Sequence, residues 1–245
     1  MNAVSEFNYA DLLASSIHEV KNSLNMLLNS IDQVVETCDG DNCPVHNVFS
    51  RIQYESKRVS ADLVELLAIY RIRNDQYAAN VDEHSVAEFL DENINQHQAM
   101  ILDRKIDYDL ACDEDLRWFF DRDLITGVIS NVVNNLYKYT KDRLFISAMK
   151  ERGYLVIRIA DNGPGYPENM LISDDDNRRS ISFEEANTGL GLYFSRLVAE
   201  LHKNKGRIGF ITTSNDGIDG GGCFSIYLPS PALFMNARAR AWKCL

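Results

Sequence analysis

Seven apolar residues open the chain in an unbroken heptad rhythm: Leu13, Ile17, Val20, Leu24, Leu27, Ile31 and Val34. That spacing predicts a helix with one buried seam. A break follows at Cys38-Asp39-Gly40-Asp41-Asn42-Cys43-Pro44, and a second seam runs through Phe49, Ile52, Ser56, Val59, Leu63, Leu66 and Tyr70. Two helices of about 25 residues joined by a Gly/Pro turn make an antiparallel hairpin. A hairpin alone leaves much of its apolar stripe uncovered, so residues 1–80 are expected to form a homodimer whose two hairpins make a four-helix bundle.

Beyond this segment the texture changes. Residues 74–84 lose the helical period and read as a linker. Ser85-Val86-Ala87-Glu88 is a capping box, which predicts a helix from there to about Leu102. Strand patterns follow at 106–110, 144–149, 155–159, 207–212 and 223–228, with helical patterns near 122–140 and 190–203, the latter placing His202 at the surface end of its helix. The expected class is α+β, with an N-terminal helical hairpin (1–80), an α/β sandwich (81–230) and a C-terminal tail (231–245).

Charge narrows the choice of partner. Twenty-five Lys plus Arg face thirty-six Asp plus Glu, a formal net charge of -11, and no basic stripe is present to neutralise a phosphate backbone. Nucleic acid is therefore not expected as a partner. No apolar run reaches the length of a membrane span, and five cysteines are an odd number that fits reduced thiols, so the expected location is cytoplasmic.

Four short motifs could carry chemistry. His18-Glu19-Val20-Lys21-Asn22 lies within the first helix, with His18 beside the seam and Asn22 on the same face four residues on. A neutral imidazole can attack phosphorus, and Glu19 could accept its other proton. In Asn131-Val132-Val133-Asn134-Asn135-Leu136-Tyr137-Lys138-Tyr139, the amides of Asn131 and Asn135 and the ammonium of Lys138 share a helix face. Amide oxygens suit Mg²⁺ and the ammonium suits phosphates. Three Asn in five residues weaken a helix, a cost that points to use. Asp161-Asn162-Gly163-Pro164-Gly165 ends a strand pattern with a carboxylate able to accept from an exocyclic amine. Thr188-Gly189-Leu190-Gly191-Leu192 then opens a helix whose N-terminus can face an anion.

In this order and spacing the motifs resemble those of sensor histidine kinases of two-component systems, over about residues 8–228. The resemblance implies a dimeric hairpin carrying the phosphoacceptor His18, followed by an ATP-binding domain of the kind shared with gyrase and Hsp90. It implies Glu19 as the base and Asn22 as the residue that orients water when a phosphoaspartate is hydrolysed. Asn135 would bind Mg²⁺ with Asn131 in support, and Lys138 and Tyr139 would face the phosphates of ATP. Asp161 would accept the adenine amine, while Gly163, Gly165, Thr188, Gly189, Leu190 and Gly191 would shape the pocket and lid. The implied partner is a response regulator with an acceptor aspartate.

Some positions depart from that pattern. Ser23 replaces a usual proline, Leu136 replaces a usual small residue, and the span between Gly165 and Thr188 is short, with only Phe183, Arg178 and Arg179 as remnants of a Phe- and Arg-containing box. An arginine that stabilises charge on the moving phosphoryl group can be worth orders of magnitude in rate. The alternative expectation is therefore a phosphotransfer or phosphatase scaffold whose ATP domain is degenerate.

Overall fold

The computed structural model describes residues 46–173 and 189–230, together with Val20 alone. The chain divides into two units, Met1–Tyr77 and Ala78–Leu245. In the first, helix α1 (His46–Arg73) carries the second heptad seam, and Arg71 and Arg73 in its last turn complement the negative end of the helix. His18, Glu19 and Asn22, and with them the first helix and the hairpin turn, lie outside the described residues.

The second unit is built on a five-stranded mixed sheet. Its elements are β1 (Val81–Ser85), α2 (Val86–Gln96), α3 (Gln98–Asp103), β2 (Asp107–Cys112), β3 (Arg117–Asp121) and α4 (Arg122–Tyr139). They continue with β4 (Arg143–Glu151), β5 (Tyr154–Asp161), α5 (Leu190–Leu201), β6 (Lys203–Asn204), β7 (Arg207–Ile208), β8 (Phe210–Ser214) and β9 (Cys223–Pro229). The sheet order is β2-β4-β5-β9-β8, parallel between β2 and β4 and antiparallel elsewhere, and β1 pairs separately with β3. Alternation assigns the faces: Leu155, Ile157 and Ile159 of β5 and Phe224, Ile226 and Leu228 of β9 are all buried on the side where α5 packs against β8 and β9.

Several sequence expectations change here. The segment 74–84 is not wholly a linker, because Val81 to Ser85 form a strand whose partner, β3, lies over thirty residues further on. The helix capped by Ser85, whose Oγ accepts from the Glu88 N–H at 3.4 Å, ends at Gln96 and resumes as α3 after His97. The expected strand at 207–212 is two strands, β7 and β8, because Gly209 lies so close to the carbonyls of Ala199 and Tyr227 that a β-carbon would sit 2.3 Å and 2.8 Å from them.

His202 corrects the reading most. It is buried, not on the surface, and its Nε2 accepts the Asp121 N–H at 2.9 Å while Nδ1 lies 2.8 Å from the Val198 carbonyl. An N–H can only donate and a carbonyl can only accept, so the ring must be neutral with its proton on Nδ1. Burial accordingly pushes its pKa down, against the opposing effects of the Val198 carbonyl and Asp121. Asp121 is itself a junction: its carboxylate caps α4 by accepting from the Leu124 N–H at 3.0 Å and takes the Asn80 N–H at 2.8 Å.

Candidate functional site

The second half of α4 carries the asparagine motif. Asn131 and Asn135 sit one turn apart and touch through a 3.4 Å contact from the Asn135 amide nitrogen to the Asn131 oxygen. Asn135, Lys138 and Tyr139 are exposed, with Tyr139 at 61%. Asn131 is half-buried, and its amide nitrogen is buried without a hydrogen-bond partner, an expensive state for a donor.

The first turn of α5 closes on this amide. A β-carbon at Gly191 would lie 2.1–2.5 Å from the Asn131 side-chain atoms, so a larger residue here would displace the Asn131 amide. Gly189 stands at the start of α5 with φ 81° and, lacking a side chain, does not cap the first N–H groups of the helix. Leu190 is half-buried beside it, and Thr188 lies outside the described residues.

At the C-terminal end of α4 the Asp-Asn-Gly-Pro-Gly turn packs against the helix. A β-carbon at Gly163 would sit 2.5 Å from the Tyr139 carbonyl oxygen, and the Gly163 N–H donates to the Asp161 carboxylate at 2.5 Å. Asp161 is buried, and burial raises its pKa, opposed by N–H groups of Gly163 and Gly222. The neighbouring Tyr166 phenol is pushed far above its ordinary range by burial first and by Asp161 second. A buried carboxylate with a few backbone donors still has lone-pair capacity for an exocyclic amine.

The residues that hold this turn were not singled out from the sequence. Asn162 accepts the N–H groups of Asp142 and Arg143 at 3.2 and 3.0 Å and donates to the Asp142 carboxylate at 2.7 Å. Asn215 accepts the Tyr166 N–H at 2.6 Å and donates back to the Tyr166 carbonyl at 3.0 Å, beside Gly165. The loop Gly217 to Gly222 presses on the Asp161 backbone, where a β-carbon at Gly221 would sit 2.2 Å from the carbonyl oxygen. Four glycines in those six residues were the available signal.

The geometry thus brings together Asn131 with Gly191, and Asp161, Gly163 and the Tyr139 backbone with one another. These contacts surround the end of α4 with an amide donor, a buried carboxylate and an open helix N-terminus, a set suited to an adenine nucleotide. Among the described residues, no helix is long and apolar enough to cross a membrane.

Residues 120–232 match the family model described as Histidine kinase-, DNA gyrase B-, and HSP90-like ATPase, which supports an ATP-binding domain in this stretch. Over 228 residues the chain is 26% identical to the sensor protein kinase PilS of Pseudomonas aeruginosa, covering 90% of this chain and 40% of that protein. Its fold is similar to full-length ShkA in complex with AMPPNP (TM-score 0.63, 16% identity, 90% of this chain and 46% of that one). It is also similar to the histidine kinase ThkA in complex with the response regulator protein TrrA (TM-score 0.56, 19% identity, 90% and 61%). The chain spans 23% to 40% of the curated relatives it matches.

Proposed function

We propose that this protein is an ATP-dependent protein-histidine kinase. The observation that carries the reading is the contact of Gly191 with Asn131, where a glycine-led helix start meets an amide whose nitrogen is buried and unpartnered. Asp161 accepts the adenine amine. Gly163 and Gly165 let the backbone approach the base, and Thr188, Gly189, Leu190 and Gly191 form the hinge over the phosphates. Asn135, supported by Asn131, holds Mg²⁺, and Lys138 and Tyr139 face the phosphates. When bound, the cation offsets phosphate charge and fixes the triphosphate for in-line transfer.

In the transfer, the unprotonated nitrogen of His18 attacks the γ-phosphorus, ADP leaves, and Glu19 takes the proton from the other ring nitrogen. The phosphohistidine then passes its phosphoryl group to an aspartate of a response regulator, with Asn22 positioned to orient water in the reverse, phosphatase sense. ThkA, one of the structural relatives, is seen with such a partner, which supports this assignment. Ile52, Val59 and Leu66, spaced by sevens on α1, are 43%, 41% and 39% exposed, an apolar stripe that supports a homodimer. The protein is expected to act in the cytoplasm.

The test is incubation of the purified protein with Mg-ATP. An acid-labile, base-stable phosphoprotein that disappears in His18→Ala supports the proposal. Unchanged labelling in His18→Ala, or no labelling while a non-hydrolysable ATP analogue still binds, overturns it.

A further inference from the structure

Arg158 occupies an unusual position. It lies on β5, the central strand of the sheet, between Ile157 and Ile159, which are buried on the helix-covered face. Alternation therefore sends Arg158 to the opposite, outer face. The strand register sets Ser147 and Ser225 directly beside it and Thr212 beside Ser225, a polar row across four strands.

A cleft of about 440 Å³ opens on this face, lined by Arg158, Thr212, Ser214, Ser225, Tyr227 and Leu171 among others. That volume lies within the range of roughly 300–1,000 Å³ usual for small-ligand sites. The Arg158 Nε is buried without a hydrogen-bond partner, and none of the ion pairs among the described residues involves Arg158. A buried guanidinium N–H without an acceptor is costly, so an anion that accepts from it gains what the fold leaves unsatisfied.

The rest of the cleft defines the anion. Arg158 is the one cation among the described residues that line it, and Asp216, bonded by the Ser214 hydroxyl, stands in the same wall. A dianionic phosphate would meet one positive and one negative charge; a carboxylate matches the single fork of the guanidinium. Cys223 adds no charge, because burial pushes its thiol up. Tyr227 offers a flat apolar wall, stacked on Phe210 with ring centroids 4.2 Å apart and planes within 9°.

We propose that the outer face of the sheet holds a binding site for a small organic carboxylate with a flat apolar body, the carboxylate on Arg158 and the hydroxyls of Thr212 and Ser225, the body against Tyr227. The site is separate from the nucleotide-facing residues: Asp161, three positions further along β5, points to the other face. Binding here does not depend on the chain being a kinase.

The test uses the full chain, labelled with ¹⁵N, and titrates benzoate while the Arg158 Nε–H resonance is followed. A saturable shift at millimolar concentrations or below, at least fivefold weaker for acetate and absent for inorganic phosphate, is the expected result. Arg158→Gln should weaken benzoate at least tenfold and leave binding of an ATP analogue unchanged. The proposal is overturned if benzoate gives no saturable shift, if phosphate binds more tightly, or if Arg158→Gln binds benzoate as before. Should that variant not fold, Thr212→Val replaces it, with at least threefold weakening expected and unchanged affinity overturning the site.

Discussion

The two halves of helix α4 are put to opposite uses. At its N-terminal end a closed hydrogen-bond network holds the helix: Asp121 caps it, takes the Asn80 N–H and donates its own N–H to His202, which in turn meets the Val198 carbonyl. At the other end Asn131 has a buried nitrogen with no partner, Asn135 and Lys138 face solvent, and glycines press against the helix. A satisfied network stabilises the fold, whereas open donors and acceptors are stability forgone in favour of a ligand. One helix thus anchors the domain at one end and presents chemistry at the other.

Substitutions can break this division. Asn135→Asp sets a negative charge where phosphates are proposed to bind, so nucleotide affinity and autophosphorylation should fall by roughly 100-fold or more, with thermal stability nearly unchanged as for an exposed site. Equal losses of stability and binding would show that the two ends are not separate.

His202→Ala attacks the other end. It removes a buried ring and both of its hydrogen bonds, which should cost about 2–4 kcal/mol in denaturant unfolding while the folded fraction still binds nucleotide normally. A change in nucleotide affinity without loss of stability would reverse the assignment.

Acid should act on the same junction more gently. The folded pKa of His202 lies below its ordinary value of 6.5, so the native state binds fewer protons than the unfolded chain in that window. Its contribution is whole above pH 6.5 and is lost as pH falls from there towards the folded pKa. A His202→Phe variant should show a flatter stability profile between pH 7 and 5, and an unaltered slope would remove His202 as the source.

The smallest effect lies in the other unit. Burial, and secondarily Asp62, pushes the Glu65 carboxyl on α1 up to about 7, so its charged form destabilises the native state increasingly as pH rises from 4.5 to about 7. Glu65→Gln should therefore raise stability at pH 8 by about 1 kcal/mol after allowance for partial solvent screening, and by little at pH 4.5. A uniform gain at both pH values would mean that packing, not charge, is responsible.

Much of this architecture is local and hence readable in one dimension. Helix α1 follows a seven-residue rhythm, and α4 and α5 begin and end within two residues of their patterned stretches, because helical hydrogen bonds reach only four residues. The asparagine, Asp-x-Gly and Gly-x-Gly motifs were visible as unusual residue types at fixed spacing. Strand β1 was not, since its partner is distant and three of its five residues are exposed. Asn162 and Asn215 were overlooked for a similar reason: a side chain that bonds backbone 20 or 49 residues away leaves no periodic trace.

What the sequence alone indicated is the paired heptad seam, the α+β character and the residues proposed to meet a nucleotide. Only the tertiary structure decided that Gly191 lies against Asn131, that His202 is a buried acceptor, and that the Arg158 Nε has no partner beside a cleft. Periodicity records which side of an element is buried, but which groups meet, and which stay unsatisfied, depends on contacts between segments that the linear order keeps apart.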